Sequence, residues 1–149
     1  MKVIKKVIAV LYDLKDGVPY YLILHRKLRW HGWELLKETK EDHETHLETL
    51  KRGIKEETGL TDFKIRGNLG HSFEWMWGDF RVLVEEIFLV KADMTKTINL
   101  KQRVIEHDAY LWADKQTAIS KLTYKDMQEV LALADKLCTL TRQKHSSAH

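Results

Sequence analysis

The stretch that most constrains this chain runs from Trp33 to Leu60, W-E-L-L-K-E-T-K-E-D-H-E-T-H-L-E-T-L-K-R-G-I-K-E-E-T-G-L. It opens as a strand-like apolar patch, passes through a charged loop and turns into an amphipathic helix. Leu47, Leu50 and Ile54 recur at helical spacing on one face, and Thr58 continues the stripe. Arg52 and Glu56 lie off that face and are neighbours, being four apart. Glu57 follows directly, and Gly59 stops the helix as a C-terminal glycine should. The helix therefore buries one side and carries carboxylates on the other.

Adjacent glutamates near a helix C-terminus meet the partial negative charge of the helix dipole. Holding such carboxylates together makes sense if a cation sits among them. Hard oxygen donors suit magnesium or manganese, completed by water and substrate phosphates. Taken alone, the Glu56–Glu57 pair reads first as an ordinary solvated helix face.

The rest of the chain supplies a frame. At 149 residues it is long enough for one domain with a substantial core. We expect that domain over residues 1–142, with a loose tail from Gln143 to His149. A formal net charge of +3 is too small to argue for nucleic-acid binding, and no DNA partner is expected. Cys138 is the single cysteine, which suits a reducing cytoplasm, and its place on the last helix predicts a small buried apolar residue. No apolar run approaches the length needed to span a bilayer, and the opening residues lack a signal-peptide pattern.

Lys2–Asp13 reads as a β-rich strand, Asp13–Gly17 as a hairpin turn, and Tyr20–His25 as the strand that follows. Arg26 and Lys27 come at its end, and Gly32–Leu36 is a short strand after a loop. Asp62–Leu69 is a further strand. The aromatic run from His71 to Phe80 turns at Gly78-Asp79 into the long β-like run Arg81–Ala92. Trp75 and Trp77 share a strand face, where they either stack on a nucleobase or cover the sheet as core. Thr95–Arg103 reads as an exposed loop, Glu106–Ala113 as a late strand, Lys115–Ile119 as a short helix capped by Asp114, and Tyr124–Thr139 as a long amphipathic helix. This order predicts an α+β protein with helices packed on a mixed sheet.

The central stretch closely resembles the signature of the Nudix hydrolases, G-x5-E-x7-R-E-U-x-E-E-x-G-U with U a bulky aliphatic. Glu44, Arg52, Ile54, Glu56, Glu57, Gly59 and Leu60 fall in register, seven of nine fixed positions. Trp33, Lys37 and Glu41 resemble the approach found in the dinucleoside-polyphosphatase branch, although Leu36, Glu38 and Thr39 replace the proline, glycine and histidine of that approach. The resemblance implies an α/β/α sandwich with the signature at one edge.

The two departures are Glu38, where the family has its first glycine, and Gly53, where it has the glutamate after the arginine. The two residue types have exchanged places. In the family the missing glutamate is a metal ligand or a base for water. A carboxylate at Glu38 can reach the space that Gly53 leaves, if loop and helix pack closely. The other reading is that Glu38 points to solvent and Gly53 marks a decayed site. Gly53 costs roughly 1 kcal/mol of helix stability against alanine, which itself asks for a reason such as close approach.

By resemblance, Glu38, Glu56 and Glu57 would hold Mg2+ or Mn2+, and Glu44 and Arg52 would form a structural salt bridge. Glu38, Glu57 and Glu106 are the candidate catalytic residues, with His107 a neighbour able to titrate near neutrality. Arg26, Lys37, Trp75 and Trp77 are the candidate substrate contacts. The implied reaction is hydrolysis of a nucleoside diphosphate linked to another moiety, with dinucleoside polyphosphates and nucleoside triphosphates as substrate classes and a homodimer compatible with the family. The alternative is a Nudix domain that binds nucleotide or RNA without cleaving it.

Overall fold

The structure, a computed structural model, describes residues 2–100 and 105–147, with side chains as far as residue 140. An eight-stranded mixed sheet forms its centre. Strand β1 (Lys2–Lys15) runs parallel to β7 (Phe80–Ala92) and antiparallel to β2 (Val18–Arg26) and β4 (Leu36–Thr39). Strand β3 (Gly32–Glu34) and β8 (His107–Asp114) flank β2, while β5 (Phe63–Asn68) and β6 (Phe73–Trp77) pair with opposite halves of β7. Helix α1 (His46–Thr58) covers one face, and α2 (Lys115–Lys121) and α3 (Lys125–Ser147) cover the other. This is the α+β layout that the order of elements predicts and the α/β/α sandwich that the resemblance implies.

The inner strands are apolar at successive positions because they are buried on both faces. On β1, Ile8, Val10 and Tyr12 pack towards α2 and α3, and the alternate Val7, Ala9 and Leu11 pack towards α1. On β7 a bulge opposite Lys6 and Val7 inserts one residue, so that Val84 and Ile87 serve the same core. Met127, Val130, Leu131, Ala134 and Cys138 of α3 complete that core, as their helical spacing predicts.

Helix α1 is bounded by local chemistry. Thr45 caps it by accepting from the Glu48 N–H at 3.1 Å, and the Glu48 carboxylate accepts from the Thr45 N–H at 2.9 Å, a reciprocal capping box. Gly59 ends it at φ +76°, a left-handed conformation that costs glycine little, and its N–H donates to the Lys55 carbonyl.

Several expectations are corrected. Leu47 is 45% exposed; the buried arc consists of Thr49, Leu50, Gly53, Ile54 and Thr58, and Leu47 stands at its edge in the first turn. Lys37–Thr39 belong to a strand paired with β1, so Glu38 is held on a sheet rather than on a loop. The expected exposed loop after Thr95 buries Ile98 in the α1-side core, and the Asn99 N–H satisfies the Thr58 carbonyl at 2.8 Å; its residues 101–103 lie outside the described residues. Helix α3 runs to Ser147, through most of the expected tail, since no glycine or proline interrupts it.

We expect Leu50→Ala to cost about 2–5 kcal/mol in urea unfolding, as a fully buried leucine does, and Leu47→Ala to stay within about 0.5 kcal/mol.

Candidate active site

The carboxylates gather where β4, the following loop and α1 meet. Arg52 ties them together. Its guanidinium grips Glu44 through two bonds, Nε to Oε2 at 2.7 Å and Nη2 to Oε1 at 2.8 Å. Nη2 also donates to the Thr39 carbonyl at 2.7 Å, which pins the loop to the end of β4. Nη1 lies 3.2 Å from both Glu38 Oε1 and Glu56 Oε2. The bond from Arg52 holds the Glu44 carboxyl down at about 2.

Glu38 points from β4 towards α1, over Gly53. A Cβ built on Gly53 would stand 2.7 Å from Glu38 Cβ and 2.9 Å from its Cγ. Both are stem atoms with little freedom to move, so the glutamate occupies the space that a side chain at position 53 would need. Burial raises the Glu38 carboxyl above its usual range. The Glu57 and Glu56 charges push the same way, against Arg52.

Glu57 turns to a second group. Its Oε2 is 3.3 Å from His107 Nδ1, and the opposite ring nitrogen is 2.7 Å from Glu34 Oε2. His107 and Glu34 are both buried, at 5% and 1% exposure. Burial pulls the His107 ring down, but the two carboxylates overcome it and hold the imidazolium up at about 9. Burial alone would raise Glu34, yet His107, Lys37 and Arg26 bring it down to about 2. Glu34 Oε1 faces the Lys37 ammonium at 3.0 Å, and Arg26 Nη1 reaches Glu34 at 3.2 Å and Glu106 at 3.5 Å.

One carboxylate oxygen each from Glu57 and Glu106 and a ring nitrogen of His107 lie within 4.8 Å of one another. The expected ligands thus fall into two groups, Glu38 with Glu56 around Arg52, and Glu57 with Glu106 and His107. Glu38 senses the charge of both Glu56 and Glu57. Oxygen donors dominate, so the donor set fits a hard divalent cation such as magnesium or manganese.

Beside the carboxylates opens a pocket of about 540 Å3. Its walls are aromatic: Trp75 stacks on Phe73 at 5.8 Å, Trp77 on Phe80 at 5.6 Å, and Trp30 meets Tyr124 edge-on at 5.0 Å. The Lys37 ammonium lies 5.7 Å from the Trp30 ring and 5.3 Å from Trp75, and Arg29 stands 5.0 Å over Trp77. Lys6, Arg26, Arg29 and Lys37 all line it.

This arrangement is matched by the NUDIX domain model over residues 3–133. The chain belongs to the Nudix hydrolase family. No curated protein matches it by sequence. Among solved structures it is similar to an Ap4A hydrolase of C. elegans, with 20% identity, a TM-score of 0.80, and 91% of this chain and 98% of that one covered. It also resembles the dihydroneopterin triphosphate pyrophosphohydrolase of E. coli, at 18% identity and TM-score 0.70, covering 85% and 91%. A third is the NUDIX domain of Shewanella oneidensis NrtR complexed with ADP ribose, at 14% identity and TM-score 0.68, covering 91% and 88%. At these identities the likeness is one of fold.

Sequence reasoning missed Glu34 and Trp30 and set His107 aside as a neighbour. The signal for Glu34 was present: a lone glutamate inside the apolar run Trp33–Leu36 of a Nudix chain needs buried cations around it.

Two predictions follow from this geometry. Gly53→Ala should destabilise the protein by about 1–3 kcal/mol through overpacking, although alanine is the better helix former. In a Glu38→Gly background the same change should stabilise, and urea unfolding of the four proteins reads the coupling. His107, raised above its unfolded value near 6.5, adds stability that is complete below pH 6.5 and lost as pH rises through about 9. With chelator present, the stability gap between wild type and His107→Gln should therefore shrink by roughly 3 kcal/mol across that window, followed by thermal unfolding.

Proposed function

We propose that this Nudix domain hydrolyses a phosphoanhydride bond in a nucleoside diphosphate linked to another moiety, with Mg2+ or Mn2+ as cofactor, in the cytoplasm. The observation that carries the reading is the Glu38–Gly53 contact. The exchange leaves room for one side chain between β4 and α1, and a carboxylate fills it. A decayed site has no need to keep that charge buried beside Glu57 and Glu56.

Glu38, Glu56 and Glu57 would hold the cation, with Glu106 at its edge and the protonated His107 orienting Glu57. Divalent ions at such a site neutralise bridging phosphates and acidify water. Arg52 keeps Glu38, Glu44 and Glu56 in fixed orientation. Glu106, 35% exposed and, among the described residues, paired with Arg26 alone at 3.5 Å, is the carboxylate best placed to accept the proton of the attacking water. Water adds to one phosphorus, the bridging P–O bond breaks, and the bridging oxygen leaves with the other phosphate. Trp75 and Trp30 provide stacking surfaces for a base, worth roughly 1–3 kcal/mol, and Lys37 and Arg26 offer charge to the phosphates.

Likeness to the Ap4A hydrolase and the Trp33–Lys37 approach favour dinucleoside polyphosphates among the substrate classes. A second reading has its own observation: the Arg52 guanidinium already pairs with both Glu38 and Glu56. That suits a domain that binds nucleotide or RNA and cleaves nothing.

The test is product release from dinucleoside polyphosphates, nucleoside triphosphates and nucleotide sugars with each metal. We expect turnover by wild type and a loss of about 10²–10³-fold in Glu38→Gln, the scale of removing one catalytic electrostatic group. Recovery to within about tenfold is expected in the double variant Glu38→Gly with Gly53→Glu, since one side chain again fills the space. Bound nucleotide with no product from wild type under either metal would overturn the hydrolase reading in favour of the second.

A further inference from the structure

Strand β4 has two chemically opposed faces. Glu38 turns to α1, while Lys37 and Thr39 turn to the aromatic pocket. Lys6 lies opposite Thr39 on β1, and its ammonium donates to Thr39 Oγ1 at 2.9 Å. Lys37 lies opposite Ile8, so the two lysines are diagonal neighbours on one face of the sheet. They differ in how they are neutralised. The Lys37 ammonium rests against Glu34 at 3.0 Å and between two tryptophan rings. Among the described residues, Lys6 has no carboxylate within ion-pair distance.

Holding Lys6 there is costly. Burial, then the charge of Lys37, pull its pKa below the ordinary lysine range. Surface lysines relieve such strain by extending into water. Here the ammonium stays inside the pocket wall, fixed to a hydroxyl. That hydroxyl accepts from Lys6 and keeps its own hydrogen to donate. An ammonium and a hydroxyl donor converge, with a second ammonium alongside, in a pocket whose one acidic lining residue among those described is Asp126. This is a donor set for an oxyanion, and lysine serves phosphate as a compact point charge.

We propose that Lys6, Thr39 and Lys37 form an anion seat on the pocket face of β4, which takes a phosphate group of the ligand whose base stacks on Trp30 and Trp75. The inference rests on reading the pocket as a nucleobase site. It adds that the ligand is held by a phosphate on the face away from Glu38, so the preferred substrate carries negative charge on both sides of the strand. A ligand whose second moiety is a neutral sugar leaves the seat unused.

The test needs no turnover. Tryptophan fluorescence is followed in chelator-containing buffer while adenosine, guanosine, cytidine and uridine, and their 5′-monophosphates, are titrated in turn. For the base that binds most tightly, we expect the monophosphate to bind at least about tenfold more tightly than the nucleoside. In Lys6→Met, which keeps the apolar stem, nucleoside affinity should be unchanged and the monophosphate preference should fall below about twofold. Thr39→Val, nearly the same shape, should lose about threefold on the monophosphate alone. A monophosphate preference that is absent in wild type, or that survives in Lys6→Met, overturns the seat while nucleoside binding leaves the base pocket standing. If neither nucleosides nor monophosphates bind, the seat and the base pocket fall together, and the product-release panel judges hydrolysis independently.

Discussion

The site depends on one guanidinium. Arg52 is the meeting point of the loop before α1 through Glu44, the end of β4 through the Thr39 carbonyl, the strand side chain Glu38 and the next helical turn through Glu56. Glu56 and Glu57 stand in the last turn of α1, where the helix dipole opposes them, and Glu38 and Glu44 approach from β4 and the loop. Without a fixed cation, their repulsion would drive loop and helix apart. With it, Glu44 stays ionised well below neutral pH, and the backbone of β4 is clamped at the height that lets Glu38 lie over Gly53. The close approach that makes position 53 a glycine therefore follows from an ion-pair network as well as from the packing of Leu50 and Ile54.

Buried charge on this side of the sheet forms a second network, centred on Glu34. It takes three cationic partners, His107, Lys37 and Arg26, and is fully enclosed. A buried carboxylate so surrounded adds little net stability over an apolar residue, but removing one partner strands the others. Its consequence is positional. Arg26 and Lys37 are held at the pocket wall, and His107 is turned so that its free edge meets Glu57. The pocket and the carboxylate face are thereby joined through one side chain, although they lie on different sides of β4.

Much of this was legible in the sequence, for reasons that differ by element. The strands β1, β2 and β7 announce themselves through continuous apolar runs, since double burial demands them. The reach of α1 follows from its periodicity and Gly59. The signature register places Glu44 against Arg52 because loop length and helical phase together leave few alternatives. Position 47 misled because periodicity gives the phase of a stripe and says nothing about where the sheet beneath it ends. Lys37–Thr39 read as loop because charged residues dominate there, and the pairing with β1 that makes them a strand is a long-range contact. Trp30 and Lys6 were opaque for the same reason: their roles arise from Tyr124, just before α3, and from Thr39 of β4, far away in the chain.

The exchange of Glu38 and Gly53 can be argued one step further on packing. The volume between β4 and α1 accepts one side chain. A glutamate at both positions would force stem atoms to less than 3.0 Å and place a further charge against Glu57. A glycine at both would leave a hole over the helix and remove a carboxylate from the group that senses Glu56 and Glu57. The two positions are thus one unit with two permitted states, glycine on the strand with glutamate on the helix, or the reverse. The states differ in the route by which the carboxylate arrives, and hence in its stiffness. A glutamate carried on the helix projects from a backbone that Arg52 already holds. Glu38 comes from a strand clamped to β1 by its neighbours and reaches across to the helix. Its Oε1 takes both contacts, from Arg52 Nη1 and from the Thr39 N–H, each at 3.2 Å. For this reason a charge-preserving change on the strand, Glu38→Asp, shortens the reach without emptying the space, and separates the contribution of the carboxylate's position from that of its presence.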